Sequence, residues 1–242
     1  MILDAHDLAC RRGGRTVFRH VGFRLAAGEA LVVTGDNGAG KSSLIAVVAG
    51  LLAPDAGRVS LEGGGGRPLD ELIGLVGHRD GLKAQLTAAE NLVFARELLG
   101  ASARPVAEAL ASVGMSHAAD MAVAILSAGQ RRRVALARLL ACDRPIWLMD
   151  EPGAALDAAS LRMLAAMMSN HLAAGGIILA ATHQPLGLEG ARTLRLERPA
   201  GAAEPDDPFL EEDWDGELGW PLDAGPAERH ADGSRPRTDD PA

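Results

Sequence analysis

Cysteine is almost missing from this chain of 242 residues. Cys10 and Cys142 are its two thiols. They are too few and too far apart for a disulfide framework or a metal cluster, and two buried free thiols in a reducing compartment are expected. Long hydrophobic runs are missing too. Hydrophobic residues make up 48% of the chain, but in short stretches such as Ile177 to Ala181, far below the ~20 residues that span a bilayer. The N-terminus has no basic patch followed by an apolar core, so no secretory signal is expected and a soluble intracellular protein is the reading. Tyrosine is absent altogether. Lysine is scarce: of 24 basic residues only Lys41 and Lys83 are lysine, the rest arginine.

The formal charge of −8 is unevenly placed. Residues 201–242 carry 13 acids and three arginines, which leaves 19 acids and 21 bases on the other 200 residues. The body is near neutral and the acidity belongs to the tail. A nucleic-acid partner is not expected, because the body lacks the basic excess that neutralises phosphate runs.

Residues 1–33 read as strand material, with Phe18 to Leu25 alternating loosely and Ala30 to Val33 a short buried strand. Lys41 to Leu52 reads as a helix ended by Gly50 and Pro54. Gly57 to Glu62 predicts a strand. Gly63 to Gly66 predicts a surface turn, since no Lys-Ser or Lys-Thr pair follows it. Helical patterns fill 87–141, broken at Gly100, Pro105 and Gly114. Pro145 to Met149 predicts a buried parallel strand, followed by a helix from about Ala158 to Ala173 and a strand at Ile177 to Ala181. Strands alternating with helices argue for a mostly parallel α/β sheet with a helical insertion. From Pro199 the composition turns to Pro, Gly, Asp and Glu, and 200–242 reads as an acidic, disordered tail.

Gly35-Asp36-Asn37-Gly38-Ala39-Gly40-Lys41-Ser42 matches G-x-x-x-x-G-K-[ST] in full. Glycines let such a loop curl until successive N–H groups point at phosphate oxygens. The helix that follows adds the positive end of its dipole. Lys41 supplies a mobile charge to the β- and γ-phosphates, and Ser42 a hydroxyl to Mg²⁺. Gly35, Asn37, Gly38, Ala39, Gly40, Lys41, Ser42 and Ser43 are therefore the expected phosphate contacts.

The run Pro145 to Met149 ends in Asp150-Glu151. Alone, this also suits a strand meeting an acidic loop. Beside a phosphate loop, Asp150 is placed to hold Mg²⁺ and Glu151 to accept a proton from the attacking water. His183, at the end of the last core strand, suits a solvated residue equally well. Its position on the ligand side of the sheet makes it a candidate contact for the γ-phosphate and the water. Leu126-Ser127-Ala128-Gly129-Gln130 reads as a Ser-led helix start whose small residues leave N–H groups open to an anion. Arg131 to Arg133 follow it, and basic residues in a first turn oppose the helix dipole. Something acidic, such as a phosphate, is expected to compensate.

With these motifs in order, the chain closely resembles the ATP-binding subunits of ABC transporters over about residues 2–198. Leu126 to Gln130 is similar to the signature motif LSGGQ, with Ala128 in place of one glycine. Ala155-Leu156-Asp157 resembles the D-loop, and His183 the switch histidine. The resemblance implies a P-loop NTPase core, an N-terminal antiparallel β subdomain and an inserted helical subdomain at about 79–140, within an ATPase domain at 1–199. It also implies ATP and Mg²⁺ as ligands and a head-to-tail dimer, the likeness leaving homodimer and heterodimer open. In that dimer Ser127, Gly129 and Gln130 of one subunit close over the nucleotide of the other. A polytopic membrane subunit then follows the motion. Leu8 to Gly13, Gly77-His78, Gly81 to Leu92, Pro145 to Leu148 and Thr182 to Leu186 resemble the haem-exporter ATPase subunits of bacterial cytochrome c maturation. That likeness implies the cytoplasmic face of the inner membrane.

Two positions depart from the family pattern. Arg12 stands where relatives place an aromatic ring against adenine, and a guanidinium plane also stacks on a base. His78 stands where most have a glutamine that senses Mg²⁺; an imidazole there implies pH-sensitive coupling. A single cassette without sustained heptads argues against the ribosome-associated and DNA-repair members. Glu151 and His183 together argue against a regulatory module that does not turn over.

Overall fold

The structure, a computed structural model, describes residues 1–197 except 101, 103 and 143. The tail expectation for 200–242 lies outside the described residues.

Three strands form an N-terminal antiparallel sheet: β1 (Ile2–Arg12), β2 (Arg15–Ala26) and β4 (Ala56–Glu62), in the order β2-β1-β4. Alternation puts Leu3, Ala5, Leu8 and Cys10 of β1, and Phe18, Val21, Phe23 and Leu25 of β2, on one buried face. Register shifts between Ala5 and Leu8, and again near Cys10, bend β1 without losing that face.

Five parallel strands make the second sheet: β3 (Ala30–Thr34), β5 (Ile73–Val76), β6 (Ile146–Asp150), β7 (Ile177–Ala181) and β8 (Arg192–Arg195). Their order is β5-β6-β7-β3-β8. Every residue of β6 and β7 is buried because both faces of the sheet are covered. Ile146, Leu148, Ile177 and Leu179 face a core shared with the antiparallel sheet and α1 (Lys41–Val48). Trp147, Met149, Ile178 and Ala180 face a second core containing α4 (Ala128–Cys142) and α5 (Ala158–Ala173). In that second core the Trp147 ring stacks on His171, with centroids 3.7 Å apart.

Between β5 and β6 the chain leaves the sheet to form a helical insert of α2 (Ala88–Leu99), α3 (Val106–Ser112) and α4. Thr87 starts α2 with a complete capping box: its hydroxyl accepts from Glu90 N–H, and the Glu90 carboxylate accepts from Thr87 N–H. Cys10 and Cys142 are both buried free thiols. No helix among the described residues is long and apolar enough to cross a membrane.

Parallel strands carry the consequence for function. All five run the same way, so the loops after β5, β6, β7 and β3 leave one edge of the sheet side by side. Those loops hold His78, Asp150-Glu151, Thr182-His183 and Gly35 to Ser42.

Candidate functional site

The loop after β3 is held open by its own lysine. Lys41, only 8% exposed, donates from Nζ to the carbonyls of Gly35 (2.9 Å) and Asp36 (3.1 Å). Its ammonium thus closes the ring of the loop from inside. Ala39 N–H donates to Asp36 O, tightening the same turn. Gly40 has φ 95°, and a Cβ there would run into Val17 of β2; only glycine meets both conditions. No side chain caps the start of α1, so its first N–H groups and its dipole face the space inside the loop. Asn37 and Ser42 are exposed there, and Ser43 is half-buried. Arg12, the last residue of β1 and paired with Arg15 across the Gly13-Gly14 turn, belongs to the hairpin whose Val17 and Phe18 cover Gly40.

Asp150 ends β6 and is 5% exposed, and its Oδ1 has no hydrogen-bond partner. Burial pushes its carboxyl above the ordinary range, while the Ser42 hydroxyl, which bonds to it, pulls the other way. Glu151 beside it raises it further; His78 and Arg132 lower it. His78 is thus brought to the same carboxylate, from the loop after β5. An unsatisfied buried carboxylate oxygen with a hydroxyl against it is a donor set of hard oxygens, which fits Mg²⁺.

Glu151 sits in the left-handed region at φ 46°, a conformation that a residue with a side chain adopts at a cost. Backbone bonds hold it: its N–H donates to Ala181 O, and its carbonyl accepts from Ala154 N–H. The turned backbone aims the carboxylate across the strand ends. Thr182 Oγ1 donates to Glu151 Oε2 at 3.0 Å, and His183 Nδ1 lies 3.0 Å from Oε1. The His183 side chain is 61% exposed, so its other face is open.

The signature residues lie at the start of α4 on the insert. Ser127 and Gln130 cap each other: Gln130 N–H donates to Ser127 Oγ, and Ser127 N–H to Gln130 Oε1. A Cβ on Gly129 would come within 2.8 Å of the Ala155 carbonyl, so glycine lets the helix start touch the D-loop of its own chain. Ser127 is exposed.

Sequence reasoning missed two contributors. Thr182 has no role of its own in the sequence beyond its place in the stretch Thr182 to Leu186, yet it holds one oxygen of Glu151. Arg132 looked like part of a basic first turn in want of an anion. Instead it is 3% exposed, paired with Asp80 at 3.1 Å and bonded to carbonyls of Gly77, Asp150, Glu151 and Pro152. Arg131 turns back to Leu126 O. The compensation for this turn is thus supplied by the protein itself, through backbone oxygens and one aspartate.

Comparison with known proteins agrees with this geometry. The ABC transporter family profile matches residues 18–154. The chain is 51% identical over 197 residues to the cytochrome c biogenesis ATP-binding export protein CcmA of Rhodopseudomonas palustris, covering 81% of this chain and 98% of that one. Its counterpart in Nitrobacter winogradskyi is 52% identical over the same shares. Among solved structures, the ATP-binding subunit of an ABC transporter superposes with a TM-score of 0.73 at 25% identity, over 81% of this chain and 86% of that one. The chain belongs to the ABC transporter family, as an ATP-hydrolysing subunit.

Proposed function

We propose that this chain powers a haem exporter used in c-type cytochrome biogenesis, working at the cytoplasmic face of the bacterial inner membrane against a polytopic membrane subunit. The 51% identity to a cytochrome c biogenesis export protein supports the assignment. The phosphate contacts are Gly35, Asn37, Gly38, Ala39, Gly40, Lys41, Ser42 and Ser43. Arg12 lies against the adenine. Ser42 and Asp150 would hold Mg²⁺, which would supply positive charge against the phosphates.

Glu151 is the general base. Thr182 and His183 occupy one lone pair on each of its oxygens and leave others for the attacking water. His183, its side chain 61% exposed, contacts the γ-phosphate. His78, acting on Asp150 from the neighbouring loop, reports the metal's presence to the membrane subunit. The observation that carries the reading is the pairing of a metal-ready Asp150 with a Glu151 fixed in place by two strand-end residues.

Ser127, Gly129 and Gln130 complete the site of a second copy. They sit at a helix start on the insert with Ser127 exposed, which suits a head-to-tail dimer in which each nucleotide is covered by the other subunit.

Two experiments test this. Expressed with the membrane subunit of a cytochrome c biogenesis exporter, the chain is expected to co-purify with it and to hydrolyse ATP, with turnover changing when haem is supplied. Co-purification with ribosomes instead would contradict the assignment. A Glu151→Gln chain that hydrolyses ATP at the normal rate would show that the base is elsewhere.

A further inference from the structure

Arg132 stands on the first turns of α4, two residues past the signature segment, yet its side chain leaves that segment and runs into the catalytic edge. It uses all three guanidinium nitrogens. Nη2 donates to Asp150 O (2.7 Å) and Glu151 O (2.6 Å), and Nε to Pro152 O (3.3 Å). Nη1 donates to Gly77 O (2.7 Å) and Asp80 Oδ1 (3.1 Å). Three consecutive carbonyls, 150 to 152, are therefore turned toward one buried cation. A surface arginine has no need of such a set. A guanidinium removed from water does, because each N–H left unmatched costs free energy.

These three carbonyls belong to the segment whose geometry matters most. Glu151 keeps a left-handed backbone that is unfavourable on its own. A planar fork gripping the peptides on both sides of it resists relaxation to an ordinary φ. Relaxation would swing the carboxylate away from Thr182 and His183. The other arm of the fork, on Gly77 and Asp80, reaches the loop that carries His78. A second contact joins the same helix start to the same region, Gly129 lying against the Ala155 carbonyl.

We infer that Arg132 is a positioning residue for hydrolysis: it couples the signature segment and the loop of residues 77–80 to the backbone of Glu151 in the same chain. The inference rests on the reading of Glu151 as base and Ser127 to Gln130 as the cover of the partner's nucleotide. Given that reading, nucleotide engaged by one subunit's signature segment sets the aim of that subunit's own base, through Arg132. Each site thereby senses whether the other is filled.

The test is steady-state ATPase and nucleotide affinity of the full-length chain carrying Arg132→Lys, with Asp80→Asn as the milder companion. Lysine keeps the charge but offers a compact ammonium that cannot grip several carbonyls as a planar fork. The expected result for Arg132→Lys is kcat lowered by about tenfold or more with KM within about threefold of the parent. The parent is expected to show a sigmoidal ATP dependence and Arg132→Lys a hyperbolic one. Asp80→Asn leaves the carbonyl contacts in place and is expected to move kcat the same way by a smaller factor. In a Glu151→Gln background, Arg132→Lys is expected to slow residual turnover no further, because both substitutions act on one base.

Unchanged kcat in both variants, or a second full loss on top of Glu151→Gln, would overturn the inference. A loss of activity matched by an equal loss of folded protein in both would do the same, assigning Arg132 to stability alone. Normal turnover by Glu151→Gln, by contrast, would remove the underlying reading of the base.

Discussion

At Asp150 a carboxylate lies 5% exposed with Oδ1 unpaired, and burial holds its pKa above the ordinary range. In the metal-free chain the folded state therefore binds a proton more readily than the unfolded one. This group's contribution to stability is fully present below the ordinary carboxylate pKa and is lost as pH rises through the raised value. Asp150→Asn removes that penalty while removing the proposed metal ligand. The expected outcome at neutral pH without Mg²⁺ is stabilisation of about 1 kcal/mol, read as a raised melting temperature, together with loss of ATPase activity. Lys41 shows the complementary case. Its ammonium bridges the Gly35 and Asp36 carbonyls, so Lys41→Ala removes both the phosphate's counter-charge and a tie that shapes the loop. Turnover is expected to fall by about a hundredfold or more, with nucleotide affinity, followed by a fluorescent ATP analogue, falling as well.

At the scale of elements, α2 and α4 each begin with a side chain that satisfies the helix's first N–H groups. For α2 this is Thr87 with Glu90. Thr87→Ala is expected to destabilise the chain by about 1 kcal/mol, seen as a lower urea midpoint with an unchanged slope. For α4 the pair is Ser127 and Gln130, and the helix start touches the D-loop through Gly129. Gly129→Ala is expected to push Ala155 away and slow turnover while ATP binding to the monomer is kept, a split that separate binding and ATPase assays would reveal. Much of this level was legible in the sequence. Caps, phosphate-loop glycines and the runs at Ile177 to Ala181 and Ala158 to Ala173 depend on residues close together in the chain, and local pattern fixes them. Two strands were not legible. Ile73–Val76 is a four-residue strand interrupted by glycine, and Arg192–Arg195 is a mostly exposed edge strand; neither has the apolar length or alternation that marks a strand. Arg132 was hidden for a different reason. Its partners lie 18 to 55 positions away, so its burial arises only when the insert packs on the sheet.

At the scale of the molecule, the parallel sheet gathers four loops onto one edge, and the insert carries the signature segment elsewhere. In the proposed reading such a chain holds a phosphate loop, a metal ligand and a base, and its nucleotide is covered only when a second copy presents Ser127 and Gly129. We propose that one site is divided between two chains and that Glu151 ends the closed state. The most direct measurement is the solution mass of the full-length Glu151→Gln chain, by light scattering or sedimentation, with and without Mg-ATP. The expected result is a 25.1 kDa monomer that becomes a dimer on adding ATP, a transition lost when either Lys41→Ala or Ser127→Arg is introduced as well. A Glu151→Gln chain that stays monomeric under saturating Mg-ATP, or that dimerises equally well with Ser127→Arg, would contradict it.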